Sequence, residues 1–110
     1  MTTLQRLQSW YTKQCDGEWE HQHGINIESC DNPGWWVKVD LTDTALAGRL
    51  FAKVAENVDP EGFQLGPRWL LCYLEGQIWN GVGDETRLEQ ILRLFLDWAE
   101  GAEHPLIPLG

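Results

Sequence analysis

Apolar positions first recur at helical spacing. Leu4, Leu7, Tyr11 and Cys15 lie three or four residues apart and Trp10 widens their stripe, so residues 3–15 are predicted to form a helix. Thr2, followed three residues later by Gln5, supplies a capping box that covers backbone donors at the helix start. Asp16-Gly17 stops the helix. From Glu18 the period drops to two. Trp19, His21, His23, Ile25 and Ile27 share one face, and Glu18, Glu20, Gln22, Asn26 and Glu28 share the other. That alternation predicts a strand with one buried and one wet side. Asp31-Asn32-Pro33-Gly34 is a turn, because Pro fixes φ and Gly accepts positive φ. Trp35, Val37, Val39 and Leu41 then alternate with Trp36, Lys38 and Asp40, so residues 18–41 are predicted to be a β-hairpin.

The pattern over 44–58 fits either period, and Gly48 tips it towards a turn followed by a strand. Residues 69–74 are apolar on both faces, which predicts a strand inside the sheet; Glu75-Gly76 turns the chain and residues 77–80 return. Gly81-Val82-Gly83-Asp84 reads as a lead into a last helix over 85–100, with Asp84 as an acid at its N-terminus. Leu88, Ile91, Leu92, Phe95, Trp98 and Ala99 form its apolar stripe. Thr86 with Glu89 offers a capping box and Gly101 a C-terminal stop. Leu94 and Leu96 fall off the stripe, which means either packing on two sides or an exposed patch. The tail from His104 is broken by proline and expected to be extended. The expected fold is α+β, an antiparallel sheet of about four to five strands with the N-terminal and C-terminal helices packed on one face.

Composition narrows what such a fold is for. The chain has 110 residues, the size of one domain spanning 1–110, and 43% of them are apolar, enough for a core. Eight basic against 17 acidic residues give a net charge of −9, which disfavours nucleic acid and anionic membrane surfaces as partners. The same field attracts a basic protein. The absence of an apolar leader in the first residues leads us to expect a cytoplasmic protein, and three Cys without CxxC spacing fit reduced thiols.

Candidate chemistry is sparse. His21 and His23 share a strand face near Cys15 and Cys30, but the spacing matches no standard zinc pattern. Cys72 lies in an apolar strand, which makes a thiol inert, and Cys72-Tyr-Leu-Glu-Gly-Gln lacks the arginine that a persulfide-carrying loop would end in. Any pair of carboxylates is expected by chance among 17 acids. No metal or other cofactor is expected. Small enzyme or metal-binding chemistry through His21, His23 or a Cys stays open as the alternative to a binding protein.

Trp10-Tyr11, Gln14-Cys15-Asp16-Gly17-Glu18-Trp19-Glu20-His21, Gly24-Ile25 and Asp31-Asn32-Pro33-Gly34-Trp35 together resemble the immunity protein 53 family. The resemblance continues through Asp40-Leu41, Gly81-Val82-Gly83-Asp84 and the final helix. At His23 the family leads us to expect an aromatic residue, a departure that counts against a His21/His23 metal pair. Such a resemblance implies a non-catalytic bacterial protein that neutralises the toxin of a polymorphic toxin system. The sulfurtransferase-like label sometimes given to relatives finds no Cys–Arg loop here. The cognate toxin domain is then the expected partner, basic in surface and nuclease-like in class. The residues expected to meet it are Glu18, Glu20 and Glu28 on the wet strand face and Trp36 and Asp40 on the polar face of the second strand. Trp19, Trp35 and Trp98 fall on core faces. For Trp36 the competing reading is a second layer, such as the N-terminal helix, covering that face.

Overall fold

A computed structural model describes residues 1–103, with side chains described through Gly101, so the expected extended tail lies outside the described residues. Helix α1 spans Thr3–Gln14 and a single helical turn, α2, spans Trp19–Gln22. Strands β1 (Ile25–Cys30), β2 (Gly34–Asp40), β3 (Val54–Glu56), β4 (Leu70–Glu75) and β5 (Ile78–Asp84) follow, and α3 spans Leu88–Glu103. All strands pair antiparallel in the order β1-β2-β5-β4-β3, so the α+β fold with a five-stranded sheet is as expected.

The first helix opens on the predicted capping box: Gln5 N donates to Thr2 Oγ1 at 3.1 Å and Thr2 N to Gln5 Oε1 at 2.9 Å. Its buried side is Thr3, Leu7 and Trp10; Leu4, placed on the apolar stripe by spacing, is 63% exposed. Arg6 locks α1 to α3, reaching Asp97 and Glu100 at 2.8 Å each.

The hairpin is present over 25–40, but its first strand starts seven residues later than the alternation from Glu18 predicts (18 against 25). Local hydrogen bonds override the two-residue period in that stretch. The Asp16 carboxylate accepts from the N–H groups of Glu18 and Trp19, both at 2.9 Å, while Glu20 reaches back to the N–H groups of Asp16 and Gly17 at 3.0 Å. These bonds fold Trp19–Gln22 into a helical turn, as short polar side chains commonly do at turns. Trp19 is driven into the core, where its Nε1 donates to Thr42 O at 2.8 Å. The ambiguous 44–58 stretch is turns followed by the short β3, as the glycine suggested.

Gly81-Val82-Gly83-Asp84 is not a lead into the last helix but the second half of β5. The glycines serve close approach: a Cβ at Gly81 would sit 2.3 Å from Ile91 Cγ2, and one at Gly83 would sit 2.8 Å from Arg87 Cβ. Helix α3 therefore lies directly on this strand. Asp84 is fully buried rather than an exposed first-turn acid. It accepts from Thr86 N at 2.9 Å, Thr86 Oγ1 at 2.6 Å, Trp69 N at 2.8 Å, Arg68 Nη1 at 3.0 Å and Arg87 Nε at 3.1 Å. The Thr86/Glu89 capping box is absent, because the Thr86 hydroxyl goes to Asp84 and Glu89 pairs with Thr3 and Arg93. Nor does Gly101 stop α3, which runs to Glu103.

Side chains from α1, α2, α3 and one sheet face meet in a single core cluster. Phe95 is its centre, with ring centroids 5.0 Å from Trp10 and 5.2 Å from Trp79. Leu96 is buried and Leu94 packs against the core, so α3 is packed on two sides. Phe51 extends the cluster, 5.7 Å from Trp79 and 5.3 Å from Trp98.

Candidate functional site

Directly paired residues in an antiparallel sheet project to the same side. On one side Ile25, Val37, Val39, Trp79, Leu70 and Cys72 face the helices. On the other, register sets out rows across the strands. Glu28, Trp36, Val82, Leu71 and Ala55 form one row, one residue from each strand; Asn26, Lys38, Asn80 and Tyr73 form the next; Asp40, Ile78 and Glu75 form a third. Trp36, Lys38, Asp40, Leu71, Tyr73, Ile78 and Val82 are all half-buried, and Glu28, Glu75 and Ala55 are exposed. This open face is apolar along one row and acidic along its margins.

Trp36 is the tryptophan that points away from the helices among those within strands; Trp35 and Trp79 point towards them. Its ring is held in place, since Nε1 donates to Asn80 Oδ1 at 3.0 Å. Lys38 Nζ stands 4.1 Å above that ring and 3.9 Å from Glu28 Oε1. The helices pack on the opposite side, so the N-terminal helix does not cover Trp36. Asp40 sits at the far end of β2, where its Oδ1 accepts from Thr42 N at 2.9 Å and its Oδ2 lies 2.7 Å from His23 Nδ1. Burial works to raise the Asp40 pKa, but the bonds from Thr42 and His23 outweigh it and hold the carboxyl below its usual range.

The five sequence-predicted partner residues are thus divided. Glu28, Trp36 and Asp40 share the open face, whereas Glu18 and Glu20 are not on a strand at all and belong to the α2 turn. The Glu20 carboxylate is already engaged with backbone donors, its own N–H and those of Asp16 and Gly17, which lower its pKa. Sequence reasoning did not assemble Leu71, Tyr73, Asn80 and Val82 with Trp36. The alternation within Leu70–Glu75 carried part of that signal, but the Gly81-Val82-Gly83 reading as a turn hid the rest.

The chemical alternatives look different in three dimensions. His23 is occupied by Asp40, and His21 lies on the α2 turn rather than beside it on a strand face. Among the described residues, no group of three or more His, Cys, Asp or Glu side chains is placed to hold a metal ion. Burial, with a smaller contribution from Glu56, pushes the Cys72 thiol up to about 12, which leaves almost no thiolate at neutral pH. No described helix is long and apolar enough to cross a membrane.

Fold and face together define a small α+β domain with one helix-covered and one open sheet surface, the latter carrying Glu28, Asp40 and Glu75 at its margins and a fixed tryptophan. The chain belongs to the immunity protein 53 family, whose pattern matches residues 4–100 of the 110. That span takes in every strand and nearly all of α3. Neither a curated protein nor a solved structure matches it. An immunity protein binds the toxin it protects against, so membership implies a cognate toxin as partner.

Proposed function

We propose that the protein neutralises a basic toxin domain of a bacterial polymorphic toxin system by seating it on the open sheet face, in the cytoplasm. The observation that carries this reading is the row of Glu28, Trp36, Val82 and Leu71 on the sheet surface opposite the helices. A charge of −9 supplies long-range attraction, and a nuclease is the toxin class whose own substrate demands a basic surface. Steering by such a field sets the association rate, while an aromatic anchor slows dissociation. Glu28, Trp36 and Asp40 are the contact residues in this reading, and Glu18 and Glu20 add to the field from α2.

The test is coexpression with toxin domains encoded by the genes that flank this one. A stoichiometric complex is expected on size exclusion at low salt. Its association should slow as ionic strength rises, and it should be lost in the Trp36→Ala, Glu28→Gln double variant. A complex that survives the double variant unchanged places the interface elsewhere. Toxicity relieved without any complex sinks the binding mechanism.

A further inference from the structure

We propose that Trp36 and Glu28 form a receptor for one arginine side chain of the partner, and that Lys38 occupies this receptor in the unbound protein. The inference rests on the open face being the partner surface and names what that surface recognises.

The receptor is built before any partner arrives. The Trp36 indole is tied to Asn80, which is itself 3% exposed and donates from Nδ2 to Ile78 O at 3.2 Å. One face of the ring accepts a cation, because the chain's own ammonium rests there, 4.1 Å from the ring centroid. The same ammonium leaves the carboxylate short of a partner. Lys38 Nζ is 3.9 Å from Glu28 Oε1, beyond hydrogen-bond reach, so the interaction is an ion pair without a bond. A guanidinium does both jobs at once: it stacks flat on an indole and donates a planar fork to a carboxylate, and it is more weakly hydrated than an ammonium. Val82 and Leu71 continue the row beyond Trp36, so apolar residues beside the arginine find dry contact. Lys38, on a flexible four-carbon stem and 40% exposed at its side chain, can swing to water when displaced. A positive visitor also matches a chain of charge −9.

The experiment titrates isotope-labelled protein with acetyl-Leu-Arg-Leu-amide and follows the Asn80 side-chain amide and the Val82 methyls by NMR. Saturable shifts are expected, stronger with the arginine peptide than with its lysine counterpart and absent with a norleucine counterpart. Lys38→Met should tighten arginine binding about two- to fivefold by removing the internal competitor. Glu28→Gln should weaken it, and so should Trp36→Phe, which keeps a ring but loses the bond to Asn80. Equal shifts with the norleucine peptide overturn the inference, as does a Lys38→Met variant that binds arginine no better. If these peptide results fail while toxin capture still depends on Trp36, only the arginine assignment falls. If toxin capture ignores Trp36, the open face itself is not the partner surface.

Discussion

On the helix side of the sheet, Val37, Val39, Leu70, Cys72 and Trp79 are sealed from water, while their strand neighbours Trp36, Lys38, Leu71, Tyr73 and Ile78 keep part of their surface wet. The two faces use similar residues, tryptophan and aliphatics on both, yet they do different work. The helix face closes on itself through Phe95 and the glycine notch of β5, so its apolar area holds the fold together. The open face has no helix over its apolar row and holds its tryptophan in place through Asn80. Stability is thereby separated from recognition, and substitutions should show it.

The largest effect is expected from Phe95→Ala, which empties the middle of the aromatic cluster and should cost about 3–5 kcal/mol in denaturant unfolding. Next comes Gly81→Val. A side chain there meets Ile91 Cγ2 at 2.3 Å, so α3 must lift and stability should fall by about 1–3 kcal/mol. An unchanged unfolding midpoint in either variant breaks the claim that the helix face holds the fold. Acid should act through Asp84. Burial alone would raise its pKa, but the bonds from Thr86, Trp69 and Arg87 prevail and hold it well below the usual carboxylate range. A folded-state pKa below the unfolded one means this stabilisation is complete above the unfolded value of about 3.9 and is lost as pH falls further. Replacing Asp84 with Asn should flatten that acid limb, as followed by thermal melts across pH 2–5. Trp36→Ala sharpens the contrast from the other side. It should change stability by less than about 1 kcal/mol while weakening toxin binding by about thirtyfold or more, measured by calorimetry beside the unsubstituted protein. Smallest of all is Glu18→Gln on the exposed α2 turn, for which no change in melting and only a modest drop in association rate are expected.

Much of this separation was legible in the chain. The alternation from Ile25 to Leu41 gives the hairpin and puts Trp36 opposite Val37 and Val39. The stripe of α3 and the capping box of α1 likewise follow from spacing. What misled was local chemistry that periodicity does not register. Asp16 and Glu20 spend their carboxylates on backbone donors and convert a strand-like pattern into a helical turn, which removed Glu18 and Glu20 from the face where they were expected. Gly81 and Gly83 look like turn residues, yet here they make room for a helix, a role that shows only when the helix is in place. The candidate face suffered most, because it draws on all five strands and no single segment announces it.

The ties between the first and last helices also bear on how the molecule forms. Thr3 meets Glu89 and Arg6 meets Asp97 and Glu100, contacts 86 to 94 residues apart along the chain. Closing loops of that length comes before any reward from the contacts, which slows folding relative to a chain of local pairings. During synthesis α1 has no α3 to dock on until the residues from Leu88 onward have emerged. The apolar backs of β2 and β5 stay uncovered for the same interval, so a nascent chain exposes two sticky faces where the finished one exposes a single face.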